Sequence, residues 1–113
     1  MLITHTRKPT NNSRTILVSW AEMPTGGVGD AIPFSQYTDK SVQVVGIFGT
    51  GVVTIEGSND GENWSTLTDP QGNDLNIATA KIELVCEATL LVRPRVVSGD
   101  GTTNLSVTLL ARE

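Results

Sequence analysis

A chain of 113 residues and 12.0 kDa, 38% hydrophobic and only 4% aromatic, makes one domain with a thin aliphatic core, large enough to fold without disulfide or metal staples. Its formal charge of −4 and its eight dispersed basic residues argue against a nucleic-acid-binding surface, which needs clustered Lys and Arg. Cys86 is the only cysteine, so an intrachain disulfide and Cys-Cys metal motifs are excluded.

In chain order, residues 1–13 are polar, contain Pro9 and read as an N-terminal arm that packs late or only against a partner. No apolar run follows Arg7 and Lys8, so no signal peptide is expected, and no stretch approaches the length of a membrane span. Residues 14–113 read as a β-sandwich domain. Its first strand runs from Arg14 to Trp20 with Ile16, Val18 and Trp20 on one face. From Ala21 to Pro33, Pro24-Thr25-Gly26-Gly27 and Gly29-Asp30 break any regular pattern and predict a long loop.

Phe34 to Tyr37 reads as a short strand, and Asp39-Lys40 as a turn into Val42 to Phe48. Gly49-Thr50-Gly51 then predicts a hairpin to Val52 to Glu56, with Val53 and Ile55 inward and Thr54 and Glu56 toward water or a partner. Asn59-Asp60-Gly61 supplies residues that tolerate positive φ, predicting a second hairpin closed by Trp64 as a lid on the core. Thr68 to Asp74 is a further turn. Strands follow at Leu75 to Ile77, Lys81 to Cys86, Leu90 to Val97 and Leu105 to Ala111, and Thr79-Ala80 is the one place a helical turn fits. Pro94 removes a ladder donor and predicts an edge or a bulge there. Cys86, beside Leu84 and Val85, reads as a buried structural thiol. About eight short strands with a turn every ten or so residues suit an all-β fold, either an antiparallel β-sandwich or a jelly-roll-like barrel.

Ser41-Val42-Gln43-Val44 with Gly46 and Gly49, the segment Thr54 to Leu67, Thr68 to Asn73, Arg93-Pro94, and Gly99 to Thr103 with Val107 to Leu110 together resemble a family of small tailed-phage virion proteins. The resemblance covers Ser41 to Arg112 and implies a head decoration or cement subunit on the major capsid protein lattice. It implies no catalytic residue. Glu56 to Trp64 is also similar to a hairpin of discoidin-type carbohydrate-binding domains, though the greater length and closing cysteines of those domains are missing.

The residues supply little chemistry of their own. His5 is the only histidine, and no Ser or Cys has a base and an acid in a recognisable arrangement, so neither an enzyme nor a zinc site is expected. Asp60, Glu62, Asp69, Asp74 and Asp100 lie in turns and raise calcium as a ligand, but turn chemistry accounts for them and no cofactor is expected. The polar arm, the long loop and the sandwich edges suit assembly, with a homotrimer favoured and a dimer next. Contacts are expected in the arm and the long loop, at His5, Arg7, Lys8, Trp20, Thr25, Val28 and Ile32. The function expected is that of a decoration protein on the virion surface, made in the host cytoplasm. The alternative is a carbohydrate- or cell-surface-binding module or a tail or neck connector.

Overall fold

The computed structural model describes residues 1–113 and shows an all-β sandwich of two facing sheets. Its strands are β1 (Leu2–Ile3), β2 (Thr6–Lys8), β3 (Thr15–Met23), β4 (Val28–Gly29), β5 (Ile32–Pro33), β6 (Asp39–Ile47), β7 (Val52–Ser58), β8 (Ser65–Thr66), β9 (Asn76–Ile77), β10 (Lys81–Val85), β11 (Leu91–Ser98) and β12 (Asn104–Arg112). Twelve strands replace the expected eight because five of them are only two residues long, too short to show alternation.

The five-stranded sheet is antiparallel throughout, in the order β10-β6-β12-β3-β2. At its centre β6 and β12 pair over their full length, from Asp39 opposite Arg112 to Ile47 opposite Asn104. The seven-stranded sheet is built on the β7–β11 pair. The strands β8 and β9 lie against β7, while β4 and β5 lie against β11, and β1 runs parallel to β4. Alternate residues point to opposite faces of a strand. Val18, Trp20, Val42, Val44, Val107 and Leu109 therefore face Val53, Ile55, Val92 and Val96 across the interior, all of them fully or almost fully buried.

Several local expectations change. Gly49-Thr50-Gly51 closes no hairpin, because β10 and β12 already occupy both sides of β6, and the chain instead crosses to the other sheet. Asp100 and Thr103 hold that crossing: the Thr50 N–H donates to the Asp100 carboxylate at 3.1 Å and the Thr103 hydroxyl to the Phe48 carbonyl at 2.9 Å. Phe34 to Tyr37 is a turn rather than a strand. The Tyr37 N–H donates to the Phe34 carbonyl at 2.9 Å, and the two buried rings pack edge to face. Thr79-Ala80 forms a bend, and Cys86 is exposed because it lies just beyond the end of β10.

Pro94 is neither at the sheet's edge nor in a bulge. It pairs with Ile55 on one side, and on the other β4 and β5 leave a gap at its level. Gly29 fills that gap, since a Cβ there would stand 2.6 Å from Pro94 Cδ and 2.8 Å from Trp20 Cδ1. The irregularity of β11 comes later, between Val96 and Ser98. In β3 an extra residue opposite β12 puts Glu22 at a φ of 55° and returns Met23 to the interior, where regular alternation from Trp20 would have turned it outward.

Candidate functional site

The arm and the long loop, singled out separately in the sequence, form one surface. Leu2 and Ile3 pair with Val28 and Gly29, the Val28 N–H donates to the Met1 carbonyl at 2.8 Å, and the Asp30 N–H donates to the Ile3 carbonyl at 2.9 Å. Thr6 to Lys8 then pair with Leu17 to Ser19 in the opposite sheet. Residues 1–13 thus add a short strand to each sheet and bridge the open end between them.

Asp30 is the hub of this surface. One carboxylate oxygen accepts from the His5 backbone N–H at 2.9 Å and from the Trp20 indole N–H at 2.8 Å, and the other stands 2.8 Å from His5 Nδ1. Burial pushes the Asp30 carboxyl up, but the His5 ring, the Trp20 indole and the His5 N–H outweigh it and hold the group below its ordinary 3.8. Because the folded value is depressed, the stability Asp30 contributes is present above the unfolded value near 3.8 and lost as pH falls through the folded one. Asp30→Asn is expected to cost about 1–3 kcal/mol at pH 7 and to flatten the loss of stability below about pH 4. Urea unfolding at pH 7 and pH 3 checks this, and equal acid slopes in the two proteins would show that Asp30 is not the group responsible.

Of the residues expected to make contacts, His5 is half-buried in the Asp30 clip, whereas Arg7 and Lys8 project from β2 and are exposed. Arg7 and His5 line a groove of about 360 Å³ whose far wall is the Ala31–Tyr37 segment. Thr25 is exposed at its backbone turn and its hydroxyl donates to the Asp100 carbonyl at 2.9 Å, while Val28 is half-buried between Leu2 and Arg95. Trp20 and Ile32, 0% and 6% exposed, are corrected from contact residues to support beneath the surface. Asp30 was missed in the sequence because an Asp after Gly is an ordinary turn residue, and nothing local points to Trp20 or His5 as its partners.

The outer face of β7 also departs from expectation. Thr54 and Glu56 are buried rather than turned to water, since β8, β9 and β11 bring polar cover from distant parts of the chain. The Thr54 hydroxyl donates to Asn76 Oδ1 at 2.7 Å. Glu56 accepts from Arg93 Nε at 2.9 Å and lies 3.5 Å from Arg95 Nη1. Trp64, expected as a core lid, is only half-buried. Its ring lies on the outer surface beneath the Arg93 guanidinium, 3.9 Å from the centroid, and Arg93 is held there by Glu56.

Three of the turn aspartates, Asp60, Asp69 and Asp100, accept hydrogen bonds from backbone N–H groups. Asp60 accepts from the Asn63 side chain and from the backbone N–H groups of Asn63 and Glu62, which hold its carboxyl well below the usual range. Asp69 caps Gln71 and Asn73 in the same way, and Asp100 caps Thr102 and Thr50. A further group had no place in the sequence reading: Lys40, expected in a turn, points into the sandwich at 1% exposure with its Nζ 3.4 Å from the Tyr37 carbonyl.

No protein-family model matches the chain, and no curated protein matches it in sequence. Among solved structures it is similar to the SPBc2 prophage-derived protein YomS, with a TM-score of 0.66 at 11% identity over 93% of this chain and 100% of that one. What the two share is the fold. A second structure, protein NMB1881 from Neisseria meningitidis, aligns at a TM-score of 0.43 and 12% identity over 96% of this chain and 83% of that one.

Proposed function

We propose that this chain is a phage virion protein that decorates the head, docking on the major capsid protein lattice and reinforcing it without catalysing a reaction. The observation that carries the reading is the fold it shares with the whole of prophage-derived YomS. The resemblance of Ser41 to Arg112 to tailed-phage virion proteins points the same way. The contact surface is the joined arm and loop, because Arg7 and Lys8 give an acidic protein one exposed basic strand beside the His5 groove. A lattice repeats its sites, so an oligomer spanning several of them gains affinity by effective concentration.

Co-sedimentation with matching capsids that lack the protein tests the reading. The wild-type chain is expected to pellet with capsids and raise their resistance to heat. The Arg7→Glu, Lys8→Glu double variant, which alters only exposed side chains, is expected to bind about tenfold more weakly. A wild-type chain that stays in the supernatant would overturn the capsid reading, and an unaffected double variant would move the contact off the arm. The second reading, a glycan-binding or connector module, draws on a polar cleft of about 360 Å³ beside the Trp64 hairpin, lined in part by Ser58, Asn59, Asn63 and Thr66. Arg93 covers one face of Trp64, however, and leaves less of the ring for stacking on a sugar.

A further inference from the structure

We infer that β10 is the seat of a two-fold contact through which two copies of this chain join their five-stranded sheets edge to edge. Unlike the capsid reading, this inference rests on one strand alone. In the sequence Lys81-Ile82-Glu83-Leu84-Val85 the alternation is inverted relative to the other long strands. Ile82 and Leu84 point away from the sandwich at 62% and 50% exposure, while Lys81 and Glu83 lie on the side of buried Val85. Gln43 and Thr108 stand in register with Ile82, and Ser41 and Leu110 with Leu84. With the exposed Val45 and Ile47 of β6, these side chains give the outer face of the sheet a largely uncharged, partly apolar surface that runs to its edge.

That edge is open. The five residues of β10 pair only with β6, and no backbone or side-chain hydrogen bond from the rest of the chain reaches their other side. Edge strands are commonly blunted by charged side chains, inward-pointing ones among them, and such charges repel a copy of the strand only where like signs come opposite each other. Here the charges are opposite and two residues apart, 3.6 Å from each other on one face. In an antiparallel pair about a two-fold axis, the register that sets Ile82 against Ile82 of the copy sets Lys81 against Glu83 of the copy, and Glu83 against its Lys81. Centring the axis on Glu83 would oppose two carboxylates, and centring it on Leu84 would leave each Glu83 facing Val85 and set Lys81 against Glu87, whose carboxylate already accepts from the Thr68 N–H and hydroxyl. Charge complementarity therefore selects one register, and that register gathers both copies' Ile82 and Leu84 into one apolar patch on the outer face.

Sedimentation velocity and light scattering of the full chain over a range of micromolar concentrations test this. The wild-type protein is expected to approach twice the 12.0 kDa chain mass. Lys81→Glu and Glu83→Lys, each of which opposes like charges twice across the axis, are expected to weaken the dimer about tenfold. Combining the two should restore it, with circular dichroism showing all three variants folded. Ile82→Lys, which opposes two ammonium groups at the axis itself, provides an independent loss at an exposed position. A wild-type monomer or trimer, single variants that dimerise as tightly as wild type, or a double variant that fails to recover would each overturn the β10 contact.

Discussion

Trp20→Ala is expected to lower the unfolding free energy by about 3–5 kcal/mol, a large share of the stability of a domain this size. Trp20 is the largest fully buried side chain, and its ring touches the Gly29–Pro94 junction at which β4 meets β11. Removing it opens a cavity between the sheets, and it also takes one donor away from Asp30, which ties the arm to the loop. Trp20→Phe shifts the weight to the second effect, because it keeps most of the apolar volume while losing the N–H, for an expected cost of about 1–3 kcal/mol. Urea unfolding followed by the fluorescence of the remaining tryptophan, Trp64, measures both variants. Similar losses for Ala and Phe would assign the residue's contribution to the hydrogen bond, and a negligible loss for Ala would contradict the burial itself. The surface formed by the arm and the loop lies directly above this residue, so Trp20→Ala is also expected to loosen Met1 to Lys8, seen as faster amide exchange at Val28 and Asp30, whose N–H groups bond to the arm.

The strands that were legible in the sequence are those with enough alternation to declare a face. β3, β6, β7 and β12 each run seven to nine residues and place Ile16, Val18, Val42, Val44, Val53 and Leu109 inward, as their period of two requires. The hairpin at Asn59-Asp60-Gly61 was legible because its turn chemistry is local: Asp60 bonds residues two and three positions on. Much of what failed depended on partners far along the chain. Gly49 to Gly51 looks like any hairpin turn until β10 and β12 are known to flank β6. Thr54 and Glu56 look solvent-facing until Asn76 and Arg93 cover them. The candidate surface shows the same division. Arm and loop were each readable from their polarity and turn residues, but their union through Asp30 joins residues 5, 20 and 30 and leaves no pattern in a linear sequence.

Lys40 carries the same lesson to energetics, and Lys40→Met is expected to stabilise the protein by about 1–4 kcal/mol. The ammonium lies on the interior face of β6 with Val42 and Val44, and its only hydrogen bond is the long one to the Tyr37 carbonyl. Desolvation lowers its pKa from the ordinary 10.5, and the charges of Glu87 and Asp39 oppose that shift without cancelling it. A depressed basic group destabilises the fold most where it must be charged, below its folded pKa. The penalty fades as pH rises through the folded value toward 10.5, where the unfolded chain also releases its proton. The advantage of Lys40→Met over wild type should therefore be greatest near neutral pH and shrink at pH 10, as urea midpoints of the two proteins at both pH values would show. A destabilised Lys40→Met would mean that attraction to Glu87 and Asp39 exceeds the cost of burial, and that β6 begins with an ion cluster on which the fold depends.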